Sequence, residues 1–245
     1  MSDEVTKLKQ LILKARCMMV LTGAGISKDS GIPTFRGKDG WYKNHPPEEL
    51  ATPTAFSKNP TFVWEWYNYR RKIILSASPN EAHYKIAELE KHFPCFLLVT
   101  QNVDSLHRKA GSKKIVELHG NIFRTRCTKC DIEFPEDYKI FKDEELPPKC
   151  PHCGGILRPS VVWYGESLNP YDIERAFSFA KKADLILVVG TSGIVYPAAM
   201  LPSIVKSHGG IVVEINPDTT PISEIADLKI KEGAKSALSK LTWDF

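Results

Sequence analysis

The chain has no internal repeat, no low-complexity tract, no apolar run long enough to span a bilayer and no block of like charge. Basic residues cluster only as pairs such as Arg70-Arg71, Lys113-Lys114 and Lys181-Lys182, and 33 basic against 29 acidic side chains leave a net charge of +4. Neither a specific nucleic acid nor a membrane is therefore expected as a partner. A secretory leader is also missing: Met1 to Arg16 mixes both charges, and the apolar stretch after it, Cys17 to Leu21, is too short for a signal segment. The expected compartment is the cytoplasm, and the six cysteines are expected as reduced thiols, to be read as metal ligands or buried residues before disulfides. With 245 residues, 42% of them hydrophobic, the chain is long and apolar enough for one large domain carrying a smaller insertion, which excludes disorder.

What is present is an alternation. Met18 to Leu21, Phe96 to Thr100, Ile115 to Leu118, Leu185 to Gly190 and Ile211 to Ile215 read as buried strands. Val5 to Lys14, Thr61 to Leu75, Asn80 to Lys91, Asp172 to Lys182 and Pro197 to Ser207 carry helical periodicity between them. Apolar strands joined by helices predict an α/β fold with a doubly wound parallel sheet. Two stretches break the pattern, Thr34 to Pro60 and Phe123 to Pro159, and both read as insertions forming a smaller lobe.

Ligands of open α/β sheets bind beyond the carboxyl ends of the strands. Here those ends read Thr22-Gly23-Ala24-Gly25-Ile26-Ser27, Thr100-Gln101-Asn102-Val103-Asp104, His119-Gly120, Gly190-Thr191-Ser192 and Asn216. The Gly23-Ala24-Gly25 turn has Lys28 where a GxGxxG motif places its third glycine, so by itself it fits phosphate binding and an ordinary strand-to-helix turn equally well. Gln101, Asn102 and Asp104 suit hydrogen bonding to an amide or a ribose, and also suit capping of a helix over Val103 to Ala110. His119, directly after a strand and before a glycine, stands where a general base would; a satisfied, partly buried histidine is the competing reading.

Cys127-Thr-Lys-Cys130 and Cys150-Pro-His-Cys153 form two CxxC turns separated by 19 residues. That spacing predicts one structural Zn²⁺ in a closed four-thiolate site that holds the small lobe together. Cys17 and Cys95 flank apolar strands and read as small buried residues.

Together, Gly23-Ala24-Gly25-Ile26-Ser27 with Gly31-Ile32-Pro33-Thr34-Phe35-Arg36, Gln101-Asn102-Val103-Asp104, His119-Gly120, the paired CxxC turns and Gly190-Thr191-Ser192 resemble the sirtuin family of protein deacylases over nearly the whole chain. The resemblance implies one catalytic domain over 1–245, with a Rossmann-like sheet and a small lobe built from a helical, cofactor-loop insertion at 34–79 and a zinc module at 123–159. It implies NAD as co-substrate, an acyl-lysine protein or peptide as partner, and a monomer. By the same resemblance Gly23, Ala24, Gly25, Ser27, Thr34, Phe35, Arg36, Gln101, Asn102, Asp104, Gly190, Thr191, Ser192, Asn216 and Ala234 would bind NAD. His119 would take a proton from the ribose hydroxyls, giving nicotinamide, O-acyl-ADP-ribose and free lysine. Val161 to Glu166 resembles the segment that pairs with a peptide backbone, which assigns Val162, Trp163, Tyr164 and Gly165 to substrate. Lys28, Tyr164 and Gly193 depart mildly from the family pattern.

Tyr67 and Arg70 lie three residues apart on one helical stripe with Val63 and Ile74, next to a stripe of Phe62, Trp66, Tyr69 and Ile73. A guanidinium beside a phenol suits a carboxylate, as in succinyl- or malonyl-lysine. The plain alternative is a solvated Arg70 next to Arg71, with Tyr67 in the core. Tyr67, Arg70 and Ala55 match residues that mark the family's desuccinylating branch, so the resemblance favours acidic acyl groups, with acetyl in addition. Plain deacetylation, ADP-ribosyl transfer to protein and an NAD-responsive scaffold without turnover are the competing functions.

Overall fold

The computed structural model describes residues 3–35 and 46–242. Among these residues nine strands run in chain order: β1 Cys17–Thr22, β2 Cys95–Thr100, β3 Ile115–Glu117, β4 Gly120–Cys127, β5 Glu133–Phe134, β6 Leu157–Val161, β7 Leu185–Val189, β8 Ile211–Ile215 and β9 Leu228–Ile230. Six of them form one sheet in the order β3-β2-β1-β7-β8-β9, parallel at every pairing. From β1 the chain winds outward to β3, then returns to lay β7 on the other side of β1. The strand order reverses between β1 and β7, and a crevice opens there beyond the strand ends.

The nine helices are α1 Asp3–Lys14, α2 Pro47–Leu50, α3 Pro53–Lys58, α4 Pro60–Ser76, α5 Glu81–His92, α6 Leu106–Lys109, α7 Pro170–Ala180, α8 Leu201–Ser207 and α9 Ala234–Ser239, counted among the described residues. Side chains alternate across a strand, and β1 shows it. Met18 and Val20 pack with residues of α1, α5 and α9, whereas Met19 and Leu21 pack with residues of α7 and α8. Both faces of the sheet are thus covered, as its unbroken apolar strands require. Among the described residues no helix is long and apolar enough to cross a membrane.

A second, antiparallel sheet in the order β5-β4-β6 carries the CxxC turns, and a third apolar cluster joins it to α3 and α4. Helix α4 presents two working stripes. Val63, Tyr67, Arg70 and Ile74 form the expected one. The other, Trp64, Asn68 and Arg71, clasps the small sheet and its loop: Trp64 Nε1 donates to the Leu157 carbonyl at 2.8 Å and Asn68 Nδ2 to the Phe141 carbonyl at 2.8 Å. Arg71 is fully buried, donating from Nε to the Ile122 carbonyl at 2.8 Å and from Nη1 to the Lys139 carbonyl at 3.0 Å. Burial pushes its guanidinium down to about 10. The alternative of a solvated Arg70 beside Arg71 is therefore overturned, because both side chains turn inward.

Three other expectations need correction. Cys17 and Cys95 face each other in the β1–β2 register and are joined as a disulfide across a sequence separation of 78, so they are not thiols. Spacing carries no sign of this, since parallel pairing alone brings them together. The helix expected from Val103 to Ala110 contracts to Leu106–Lys109, because Ser105 adopts a left-handed backbone with φ 61°. The Pro197 to Ser207 helix opens as a 3₁₀ turn over Ala198–Met200 before becoming α8.

Candidate active site

One cleft of about 1310 Å³ lies over the β1–β7 reversal and runs out between the sheet domain and the small lobe. Gly23, Ala24, Gly25, Thr34, Phe35, Gln101, Asn102, His119, Gly190, Thr191, Ser192, Asn216 and Ala234 line it, as do Tyr67, Arg70, Val162, Trp163, Tyr164 and Gly165. Ser27, Asp104 and Ala55 are not in the lining; Ala51 takes the wall position near Ala55. Arg36 falls outside the described residues. Lys28, Asp29, Leu168, Ile194 and Tyr196 also line the cleft although sequence reasoning gave them no site role, and so do Pro217 to Pro221. A usable signal existed for the last group, since Asn216-Pro217-Asp218 is a turn at a strand end.

The glycines act differently from a simple phosphate nest. The Gly23 and Gly25 amides donate to the carbonyls of Val189 and Gly190 at 3.1 and 2.8 Å, so they are already engaged. A Cβ on Gly25 would stand 2.8 Å from Gly190 Cα, and one on Gly190, whose φ is +60°, would stand 2.6 Å from the Ile26 nitrogen. Glycine at these places lets the β1 loop lie directly on the β7 loop. The result is a narrow backbone cradle at the switch point, a surface that fits a dinucleotide.

Behind the cradle a buried polar network holds the second strand end. Ser27 Oγ donates to Asp104 Oδ2 at 2.7 Å and receives Asn102 Nδ2 at 3.2 Å, while the Leu106 amide donates to Asp104 Oδ1 at 2.9 Å. Burial raises the Asp104 carboxyl above its usual range against these bonds. Gln101 Nε2 donates to Thr191 Oγ1 at 2.9 Å, and Asn216 Nδ2 donates to the Thr191 carbonyl at 2.8 Å. Thr191 therefore ties the ends of β2, β7 and β8 into one wall.

His119 is half-buried at the floor, with Nδ1 3.0 Å from the Gln101 carbonyl oxygen. A carbonyl only accepts, so Nδ1 carries the hydrogen and Nε2 keeps a free lone pair. Burial pushes the imidazole below its ordinary range, partly offset by that hydrogen bond, which favours the neutral, basic form.

Two further histidines stand behind the network with ring centroids 4.8 Å apart, His83 near Ser27 Oγ and His107 with Nε2 3.0 Å from Thr22 Oγ1. Burial lowers His83 to about 4 and His107 well below 6.5. A buried neutral histidine must charge as acid is added, so its stabilising contribution is complete above pH 6.5 and is lost as pH falls from 6.5 toward about 4. His83 alone is expected to remove about 2 kcal/mol of unfolding free energy by pH 5, measured by denaturant titration at pH 7 and pH 5.

At the small lobe's far end the Sγ atoms of Cys127, Cys130, Cys150 and Cys153 lie within 4.8 Å of one another. Pairs stand at 3.4 Å (Cys127 and Cys153) and 3.8 Å (Cys130 and Cys150), close to the ~3.8 Å edge of a tetrahedron with Zn–S bonds of about 2.3 Å. The four thiols fit a structural zinc, with no position left open for catalysis. Replacing Cys150 by Ser is expected to lower zinc content well below one per chain and to melt the small sheet, read by metal analysis and circular dichroism.

At the small-lobe end the cleft is lined by Phe35, Ala51, Tyr67, Arg70, Val161 and Trp163. Arg70, 4% exposed, stands with its guanidinium carbon 4.7 Å from the Trp66 ring centroid, 5.2 Å from that of Phe35 and 5.4 Å from that of Tyr67. In the Val161 to Glu166 segment, the Val162 and Tyr164 amides already donate to the His119 and Ala51 carbonyls at 3.0 and 2.9 Å. Trp163 turns inward, 3% exposed, rather than outward to a peptide.

A model of the Sir2 family matches residues 23–197, which contain most of this cleft. An NAD-dependent protein deacylase of Aquifex aeolicus is 54% identical over 91% of this chain and 93% of its own length. That of Pyrococcus furiosus is 53% identical over 98% and 96%. Among solved structures, a Sir2 homolog–NAD complex superposes with a TM-score of 0.90 at 47% identity, covering 96% of this chain and 91% of the other. A Sir2–p53 peptide–NAD⁺ complex does so with a TM-score of 0.86 at 34% identity, covering 96% of both. By fold, by the order of its strand-end residues and by these likenesses, the chain belongs to the Sir2 family.

Proposed function

We propose that this chain, an NAD-dependent protein deacylase, removes acidic acyl groups such as succinyl and malonyl from lysine side chains, with acetyl-lysine as the poorer substrate. The observation that carries the acidic preference is Arg70, a guanidinium 4% exposed among aromatic rings beside Tyr67, in the same cleft as His119. A guanidinium offers a carboxylate two parallel donors in a fixed fork, and the Tyr67 hydroxyl stands beside it as a third.

NAD supplies the ribose carbon whose bond to nicotinamide breaks, and the chain's own groups arrange the rest. Gln101 and Asn102, fixed by Thr191 and Ser27, would hold the nicotinamide end. The β1–β7 cradle and Asn216 would hold the phosphates and the second ribose, and Ala234 would border the adenine end. His119 accepts a ribose hydroxyl proton at Nε2, since its Nδ1 hydrogen is committed to the Gln101 carbonyl. The apolar walls keep water from the reacting carbon, which favours transfer of the acyl group over simple hydrolysis of NAD.

The test is NAD-dependent turnover of matched succinyl-lysine and acetyl-lysine peptides, following nicotinamide release and the acyl-ADP-ribose product by mass spectrometry. Succinyl turnover well above acetyl is expected. Acetyl preference would sink the acidic reading and leave deacylation standing; no acyl product from either peptide would sink both.

A further inference from the structure

The acyl end of the cleft is backed by a chain of polar contacts that none of these roles uses. Trp163 donates its indole N–H to the Tyr67 hydroxyl oxygen at 2.8 Å in a buried setting. An indole nitrogen only donates, so Tyr67 Oη accepts on that side and its own hydrogen must point elsewhere. Among the described residues no acceptor holds that hydrogen. Burial raises the phenol above its usual range, so the hydroxyl keeps its hydrogen at neutral pH.

The indole is itself pinned. The Arg158 guanidinium carbon lies 3.4 Å from its ring centroid, and the Phe56 ring packs against it at 5.1 Å. Glu166 Oε2 accepts from the Trp163 backbone amide at 2.8 Å. Arg158 and Glu166 clasp each other through contacts of 2.5 and 2.8 Å, and Arg158 Nη2 also donates to the Val161 carbonyl at 2.9 Å. A two-point guanidinium–carboxylate contact fixes direction as well as distance.

Resting on the acidic-acyl reading, we infer that Trp163, clamped by the Arg158–Glu166 pair, is a positioning residue for acyl selection: it turns the Tyr67 hydroxyl so that its hydrogen meets the acyl carboxylate beside Arg70. A carboxylate only accepts, and a phenol left to rotate would present its lone pairs to that anion part of the time. The indole removes this wrong orientation in advance, so less freedom is lost when the ligand arrives. An acetyl group carries no such carboxylate, so the device acts on acidic chains and shows in KM more than in kcat.

The closing experiment is a double-mutant cycle on the ratio of kcat/KM for succinyl over acetyl peptides, with zinc content and Tm measured for each protein. Tyr67→Phe and Trp163→Phe are each expected to lower the ratio on the order of 3- to 10-fold, mainly through the succinyl KM. The double variant is expected to be no worse than Tyr67→Phe, because the indole acts only through the hydroxyl. A second route to the same loss is Arg158→Lys, which keeps the charge and removes the fork. An unchanged ratio in Trp163→Phe, or losses that add in the double variant, would overturn the positioning role. If Arg70→Met lowers the ratio while Trp163→Phe does not, the acidic-acyl reading survives alone; if neither does, both fall.

Discussion

Arg70→Met is expected to remove about 3–5 kcal/mol of discrimination, a drop of roughly 100- to 5,000-fold in the kcat/KM ratio of succinyl over acetyl peptides. Methionine keeps the length and packing of the stem among Phe35, Trp66 and Tyr67 but leaves an incoming carboxylate with no countercharge at a site 4% exposed. The size follows from burial: one partner of a desolvated pair is stranded, whereas the same change on a wet surface would cost under about 1 kcal/mol. Arg70→Lys should recover only part of the loss, since an ammonium is one compact charge without the planar fork. Succinyl kinetics indifferent to Arg70→Met would refute the assignment.

The second large effect belongs to His119. Its replacement by alanine is expected to lower kcat for acyl transfer by about 10²–10⁴-fold, with NAD binding still detectable by calorimetry through the strand-end residues that remain. The parent protein should lose activity on the acid side, because the base works only when neutral. Since burial sets its imidazole below 6.5, the acid limb of the kcat/KM profile should lie below that pH. His83 and His107 begin to undermine folding in the same range. Unfolding curves at each pH therefore separate loss of the base from loss of the fold. A His119→Ala protein with normal turnover would move the proton transfer to another group.

The sheet was legible because its signal is local: five of the six parallel strands are apolar runs closed by glycine or hydrogen-bonding residues, and each reads without knowledge of its neighbours. Leu228–Ile230 escaped because Lys229 interrupts so short an apolar run. The antiparallel sheet escaped because strands β4 and β6 flank a cysteine module whose spacing announces metal rather than strand pairing. Arg71 shows the limit most clearly. In the sequence it figures only as the neighbour of Arg70, yet one helical step of about 100° sends it to carbonyls of the small lobe while Arg70 faces the cleft. Direct adjacency in sequence says little about a shared surface on a helix, and the partners that keep a buried guanidinium are more than 50 residues away.

The clasp of Trp64, Asn68 and Arg71 also joins the metal module to the helix that carries the proposed acyl pocket. These three side chains hold carbonyls of the zinc-bearing lobe on one stripe of the helix whose other stripe presents Tyr67 and Arg70. Whatever orders the lobe therefore orders the pocket, and linkage is reciprocal. An acidic acyl chain seated on Arg70 should tighten the hold on zinc by the same factor with which zinc tightens the hold on that chain. On the proposed reading of Arg70, a site with no open coordination position would take part in choosing the substrate, through the free energy of the lobe it shares.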